Sequence, residues 1–135
     1  MSTPSLGPNE KRLASANLVA FAATTNQERA KEFYGGVLGL RLLSQDNFAL
    51  VFDANGVTLR VSTVREVAQA QYTVLGWEVS EITGKVKELE QAGVKFERYS
   101  FPGVDEMGIW TAPGGARVAW FKDPDGNILS VSQHS

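Results

Sequence analysis

The chain has 135 residues, of which 43% are hydrophobic and 21% charged, and it contains no cysteine. This composition predicts one domain with its own core, and it excludes disulfides, thiolate metal sites and cysteine nucleophiles. The net charge is only -2 and neither sign forms a long run, which argues against nucleic-acid or membrane partners and favours a small molecule. Without a secretory signal or a membrane-spanning apolar run, the sequence predicts a cytoplasmic protein.

The first half of the chain predicts a strand, a helix and three further strands. Residues 1–16 are polar and contain proline and glycine, which predicts a flexible N-terminal arm with one short helical turn near residues 9–14. A strand over 18–24 leads into Thr25-Asn26-Gln27-Glu28, whose Ser/Thr-x-x-Glu pattern is typical of a capped helix start. Gly39 predicts the end of this helix. The predicted strands that follow are Leu40–Leu43, Phe48–Asp53 and Val57–Val64.

The same order returns after a polar link at 65–71. A strand over 72–79 precedes a helix over 82–92 that Gly93 ends, and Ala112–Ala116 predicts a hairpin turn. The predicted strands of this half are Val94–Phe101, Arg117–Lys122 and Ile128–Val131. We therefore predict an α+β fold of two tandem βαβββ modules, 17–64 and 72–133, that form a curved, cupped mixed sheet within one domain, 17–135.

A repeat in the letters supports this duplication. The ten residues from Asp53 to Ser62 align with those from Asp123 to Ser132 at a constant offset of 70, and six positions carry identical or Asn/Asp-equivalent residues. Each stretch contains a hairpin turn, Asn55-Gly56 or Asp125-Gly126. The alternative is two unrelated hairpins that use common turn chemistry.

Pairing across each turn predicts which side chains share a face. In the first hairpin we place Phe52 opposite Thr58, Leu50 opposite Arg60 and Phe48 opposite Ser62. This leaves the apolar face of Ala49, Val51, Leu59 and Val61 under a helix. In the second hairpin Trp120 lies opposite Ser130, and the face under a helix is that of Ala119, Phe121, Leu129 and Val131. The two remaining faces are mixed in character, and such a concave face is typical of a binding site.

Three segments now make the chain resemble a known family. They are Phe33-Tyr-Gly-Gly-Val-Leu-Gly39-Leu, Trp77-Glu-Val79 with the following helix and Gly93-Val94, and Phe121-Lys-Asp-Pro-Asp-Gly126-Asn. Over residues 18–132 the sequence resembles the vicinal oxygen chelate superfamily, which includes glyoxalase I, extradiol dioxygenases, fosfomycin-resistance enzymes and bleomycin-resistance binding proteins. The resemblance implies a cupped site built from two βαβββ modules, usually in a homodimer, with a divalent metal held by the first and last strands of each module.

The metal positions that the resemblance implies carry unsuitable residues. The first-strand ligands fall on Val19 and Val74, and the last-strand carboxylates fall on Arg60 and Ser130. Valine and arginine cannot bind a divalent cation, and a lone serine is a poor ligand. We therefore expect a family member without a metal and without another cofactor.

Two charged residues and the lone histidine are the other candidates for chemistry. Arg60 lies between two apolar residues, so its side chain is predicted to point into the cup, where it would suit a carboxylate, phosphate or enolate oxygen. Alternation along its strand turns Glu78 toward the same cup, as an ion-pair partner or general base, or else as a carboxylate at the solvent rim. His134 is predicted to belong to a mobile tail.

Ligand contact is predicted for a larger set on the concave face, although an aromatic residue on a strand is more often core. The residues of this set are Phe21, Phe48, Leu50, Phe52, Arg60, Trp110, Trp120 and Ser130. We predict a metal-independent homodimer that binds a small aromatic or anionic molecule. Two alternatives stay open: a lyase or isomerase acting on an oxo-acid or ester through Arg60 and Glu78, and an assembly module whose own side chains fill the cup.

Overall fold

Two four-stranded mixed sheets and two helices make up the protein in a computed structural model that describes residues 12–134. The strands of the first sheet are β1 (Val19–Thr24), β2 (Arg41–Gln45), β3 (Ala49–Ala54) and β4 (Val57–Thr63). Those of the second are β5 (Leu75–Glu78), β6 (Trp110–Thr111), β7 (Arg117–Lys122) and β8 (Ile128–Gln133). The strand orders, β1-β4-β3-β2 and β5-β8-β7-β6, are the same. This confirms the predicted α+β fold of two βαβββ units.

The first helix begins one residue later than its capping pattern predicts. Helix α1 (Gln27–Lys31) is capped by Asn26, whose side chain accepts a hydrogen bond from the Arg29 amide at 3.0 Å. Thr24 and Thr25 instead bind a distant loop, so Asn26 is the residue left to cap the helix. The helix then widens into a π-helix over Glu32–Val37. Helix α2 (Ile82–Gln91) is capped by Glu81.

The core lies between the helices and one face of each sheet. Ala30 and Tyr34 of the first helical segment and Ile82 and Val86 of α2 are fully buried. A single hydrophobic cluster joins residues of both halves, including Phe52 and Phe121. Among residues 12–134, no helix covers the opposite face of either sheet, and we call this the open face of that sheet.

The first hairpin pairs in a different register from the one predicted. Asn55 and Gly56 both have positive φ, 51° and 92°, so the turn has two residues and Ala54 pairs with Val57. We expected Asp53 opposite Val57. This shift of one residue exchanges the two faces of β3, because side chains alternate along a strand.

In the second half, the hairpin of β7 and β8 confirms the predicted pairs, including Trp120 with Ser130. The predicted strand over Val94–Phe101 does not form. In this segment Phe96 makes only an isolated bridge to Phe121, and the short strand β6 pairs with β7 farther along the same edge. Two short segments thus share an edge for which we expected one strand.

A buried polar network joins the two halves at the loop between β7 and β8. The Tyr34 hydroxyl donates to Asp123 Oδ2 at 2.6 Å, and Asn127 Nδ2 donates to the Ala23 carbonyl oxygen at 2.9 Å. Asp125 accepts hydrogen bonds from the hydroxyl groups of Thr24 and Thr25. This loop therefore fixes the second sheet against the first half of the chain.

The N-terminal arm predicted for residues 1–16 lies mainly outside the described residues. Of this segment, residues 12–15 form a turn, and the Ala16 amide donates to the Leu13 carbonyl at 3.0 Å. Within the described part of the chain, no helix has the length and apolar character needed to cross a membrane.

Candidate functional site

The open face of the second sheet collects most of the aromatic side chains that are not part of the core. Trp110 pairs with Val118, and Trp120 pairs with Ser130, so these four side chains lie on one face. Gly76 of β5 is the other neighbour of Ser130. A Cβ atom on Gly76 would lie 2.8 Å from Ser130 Oγ, so glycine is needed for this close approach.

Four aromatic rings on this face form one group, which we call the aromatic cluster: Tyr99, Phe101, Trp110 and Trp120. Tyr99 and Phe101 are stacked, with ring centroids 5.7 Å apart and planes 19° apart. Trp120 meets both edge-on, at 5.6 and 6.1 Å, with an interplanar angle of 69° in each case. Trp110 lies beside Trp120 at 6.0 Å. The rings therefore form a corner with two differently oriented aromatic walls.

A pocket of about 640 Å³ lies against this corner. Trp120 forms part of its wall, and the Trp120 indole Nε1 donates a hydrogen bond to Thr73 Oγ1 at 3.2 Å. The segment between β4 and β5 supplies another wall, which includes Tyr72, and Tyr72 is 72% exposed. The volume lies in the range of known small-molecule sites.

The charged side chains of this pocket form a pair. Lys122 Nζ lies 3.5 Å from Glu97 Oε1, and both residues line the pocket. The Glu97 amide donates to the Trp120 carbonyl at 2.8 Å, which holds Glu97 beside β7. Lys122 follows Trp120 by two residues and therefore lies on the same face of the strand.

Arg60 lies on the open face of the other sheet. Its neighbours across the strands are Phe21 of β1 and Val51 of β3. Among residues 12–134, the Arg60 guanidinium has no carboxylate within 4.0 Å, so it forms no ion pair with Glu78, which lies on the second sheet. The ion pair between Arg60 and Glu78, which was one of the alternatives for Glu78, is therefore not formed in the described part of the chain.

Asp46, in the bend between β2 and β3, is the carboxylate influenced by Arg60. Hydrogen bonds from the backbone amides of Phe48 and Ala49 are the main cause of a lowered Asp46 pKa, and the positive charge of Arg60 adds to the effect. Asp46 is exposed, so this arrangement organises the bend and does not form a buried site.

Two predicted ligand contacts need correction because of the register shift, and a third predicted contact, Phe48, lies outside the strand in which we placed it. Leu50 and Phe52 are 0% exposed and pair with Val61 and Leu59 on the core face, so neither faces a ligand on the open face. Phe48 lies in the bend before β3, outside the strand, and is 74% exposed. Val51, which we expected under the helix, takes their place beside Arg60.

A divalent metal does not fit the positions that the resemblance implies. Val19, on β1, pairs with Thr58 of β4 and is 42% exposed, and Val74 precedes β5. The side chain of valine has no donor atom for a metal at either position. Arg60 is a cation, and Ser130 alone offers one hydroxyl. Within residues 12–134, no group of three or more His, Cys, Asp or Glu side chains could hold a metal ion.

Of the predicted contacts, the structure brings Trp110, Trp120 and Ser130 together, whereas Phe21 and Arg60 lie on the first sheet. The prediction omitted Tyr99 and Phe101. Their spacing of two residues contained the signal, because in an extended segment both must lie on the side opposite the buried Phe96.

A family model described as the glyoxalase/bleomycin resistance protein/dioxygenase superfamily matches residues 16–131. The chain belongs to this superfamily. The match covers both βαβββ units and ends within β8, so the duplicated architecture described above is that of the superfamily. No match was found among curated proteins.

Several solved structures share the fold at low sequence identity. TnmS3, an antibiotic binding protein from Streptomyces sp. CB03234, is 22% identical with a TM-score of 0.66, and the alignment covers 90% of this chain and 97% of that one. A lactoylglutathione lyase from Agrobacterium tumefaciens is 17% identical with a TM-score of 0.64, covering 88% and 93%. A glyoxalase/bleomycin resistance protein/dioxygenase from Alicyclobacillus acidocaldarius is 18% identical with a TM-score of 0.66, covering 91% and 94%. Similarity at this level establishes the fold.

Proposed function

We propose that this protein binds a small planar aromatic molecule in the pocket beside the aromatic cluster, without a metal ion. The observation that carries the proposal is the corner formed by Trp120 with Tyr99 and Phe101 next to a pocket of about 640 Å³. A planar ligand can stack on one wall and meet the other edge-on, and both geometries are favourable for aromatic pairs. Phe101 is 43% exposed, so the ring surface is open to a ligand.

The chemistry of the inherited metal positions supports binding over a metal-dependent reaction. Superfamily reactions that polarise substrate oxygens with a metal need imidazole or carboxylate donors, and these positions carry valine, arginine and serine. TnmS3, with the same fold, is an antibiotic binding protein. The open pocket also argues against an assembly module whose own side chains fill the cup.

We also propose that the protein is a homodimer whose interface covers the open face of the first sheet. Phe21 and Val19 on this face are 57% and 42% exposed, and Leu18 beside them is 76% exposed. Neighbouring exposed apolar side chains of this kind are typical of an interface. Light scattering is expected to give twice the chain mass of 14.7 kDa, and a monomer at micromolar concentration would contradict the proposal.

Calorimetric titration with 2-naphthol tests the binding proposal. Tryptophan fluorescence of a Trp77→Phe protein, in which the remaining tryptophans are Trp110 and Trp120 of the aromatic cluster, is a second test. We expect saturable binding that Trp120→Ala and Tyr99→Ala each weaken by about tenfold, the effect of removing one stacking partner. Phe48→Ala is the matched control, because it removes an exposed ring in the bend before β3, which lies outside the pocket and outside the proposed dimer interface. Thermal unfolding of each variant establishes that the fold is intact. Absence of saturable binding, or an equal loss in Phe48→Ala, would contradict the proposal.

A further inference from the structure

Most of the polar side chains around the pocket beside the aromatic cluster are uncharged. The described residues that line it include the amides of Gln69 and Gln71 and the hydroxyl groups of Tyr72, Thr73 and Tyr99. The charged residues among them are Glu97 and Lys122, one of each sign. The pocket therefore offers hydrogen-bonding groups without a net charge.

The two charges neutralise each other where the ligand would lie. Lys122 Nζ is 3.5 Å from Glu97 Oε1, and the Lys122 and Glu97 side chains are 49% and 33% exposed. The Glu97 amide bonds to the Trp120 carbonyl and Lys122 follows Trp120 on the same face of the strand, so both charged residues line the pocket together with Trp120. A charged ligand at this ring meets attraction from one member of the pair and repulsion from the other.

Some of the neutral groups already form hydrogen bonds within the protein, which limits the donors and acceptors that remain for a ligand. Gln69 Nε2 donates to the Asp125 carbonyl at 2.8 Å, so one of the amide's donor hydrogens is already occupied. Thr73 Oγ1 accepts from the Trp120 indole and can still donate its own proton. Ligand hydroxyl, carbonyl or amide groups match these donors and acceptors.

We infer that this site selects uncharged over charged aromatic molecules because Glu97 and Lys122 compensate each other beside Trp120. The inference rests on the binding function proposed above and adds the chemical class of the ligand. A charged ligand loses part of its hydration on entering the pocket and gains no net opposite charge there. A neutral ring with hydroxyl or carbonyl groups at its edge loses less hydration energy on entering the pocket and makes the same contacts with the aromatic walls.

Three probes with the same ring system separate charge from shape: 2-naphthol, 2-naphthoate and 2-naphthylmethylammonium. Calorimetry at neutral pH and low ionic strength is expected to show 2-naphthol binding about fivefold or more tightly than either ion, a modest difference because the pair is partly exposed to solvent. Glu97→Gln leaves Lys122 uncompensated, and the affinity for 2-naphthoate should rise about three- to tenfold. Lys122→Met should raise the affinity for the ammonium probe by a similar factor, while 2-naphthol changes less than twofold in both variants.

Glu88→Gln and Lys85→Met are the matched controls. They break an ion pair of 2.6 Å on α2, outside this pocket, with the same changes of charge, and the preference among the probes should stay as in the unmodified protein. If a charged probe binds the unmodified protein as tightly as 2-naphthol, or if Glu97→Gln leaves the affinity for 2-naphthoate unchanged and Lys122→Met leaves the affinity for the ammonium probe unchanged, the inference is wrong while the binding function stands. If no probe binds, both fail.

Discussion

Replacement of Tyr34 by phenylalanine tests the network that holds the two halves together. Tyr34 is 0% exposed, and its hydroxyl donates to the buried carboxylate of Asp123 at 2.6 Å. The substitution removes this one oxygen and keeps the ring, which packs edge-on against Phe33 at 5.3 Å and against Phe52 at 6.0 Å. The measured effect therefore isolates the hydrogen bond from the packing of the ring.

The structure sets the expected magnitude. A hydrogen bond to a charged group contributes about 1.5–3 kcal/mol to the free energy of unfolding. After the substitution Asp123 still accepts from the amides of Asp125 and Asn127 and from Asn127 Nδ2, so no carboxylate oxygen is left without a partner. We therefore expect a loss of about 2 kcal/mol, which for a domain of this size lowers the urea midpoint by about 1 M with an unchanged slope.

The pH dependence of this difference has a definite sign. Burial, and then the charge of Asp123, raise the pKa of Tyr34 far above its usual value, so the hydroxyl stays protonated in the folded protein. Below about pH 10 the unfolded chain is protonated as well, and the difference between the two proteins should be constant. Above about pH 10 tyrosine ionises only in the unfolded chain, so the advantage of the unmodified protein should decrease.

Urea unfolding followed by circular dichroism measures the effect, and Tyr72→Phe is the control because the Tyr72 side chain is 72% exposed. We expect the control to change the free energy of unfolding by less than about 0.5 kcal/mol. An equal loss in both variants, or a loss below about 0.5 kcal/mol in Tyr34→Phe, would refute the role assigned to this network.

Three further predictions concern the core, the loop charge and the metal positions. Leu50→Ala should lower the free energy of unfolding in urea by about 2–5 kcal/mol, because Leu50 is fully buried. Val51→Ala should lower it clearly less, because Val51 lies on the open face. A larger loss in Val51→Ala than in Leu50→Ala would support the register predicted from the sequence. Partial burial opposes ionisation of Asp125, but hydrogen bonds from Thr24 and Thr25 outweigh it and lower the Asp125 pKa. Asp125→Asn should therefore reduce the thermal midpoint by an amount that is constant above about pH 4 and shrinks as the pH falls further; a difference that grows in acid would contradict this. Elemental analysis after dialysis against zinc, nickel, iron, manganese or magnesium should find no stoichiometric metal, and one bound equivalent would show that the ligand strands were misplaced.

The sequence was sufficient for the order of the elements because each strand and helix has its own local signal. Helical spacing with Gly39 and Gly93 as end signals predicted both helices, and alternation with turn residues predicted most strands. The predicted register of the first hairpin was wrong because Asp53 and Asp123 align in the repeat although the turns that follow them differ in length. The larger size of Leu50 and Phe52 relative to Ala49 and Val51 was the signal for the correct choice.

The aromatic site could be predicted only in part because it depends on contacts between distant segments. Trp120 was placed correctly by the pairing of one hairpin. Tyr99 and Phe101 reach the same face from a segment in which Phe96 forms one isolated bridge, and Thr73 comes from the segment between β4 and β5. Such approaches are set by packing of the whole chain and leave little trace in local spacing.

The turn that begins at Asp53 and the loop that begins at Asp123 have lost the ability to replace each other. Asp53 accepts a hydrogen bond from the Gly56 amide of its own turn at 2.9 Å, whereas Asp123 accepts one from the Tyr34 hydroxyl in the other half of the chain. Grafting residues 53–57 onto 123–127 would put valine in place of Asn127 and remove its bonds to Ala23 and Asp123. The opposite graft would put proline at position 54, where the residue must pair with Val57. Although the two stretches match at six of ten aligned positions, each turn tolerates a different set of substitutions.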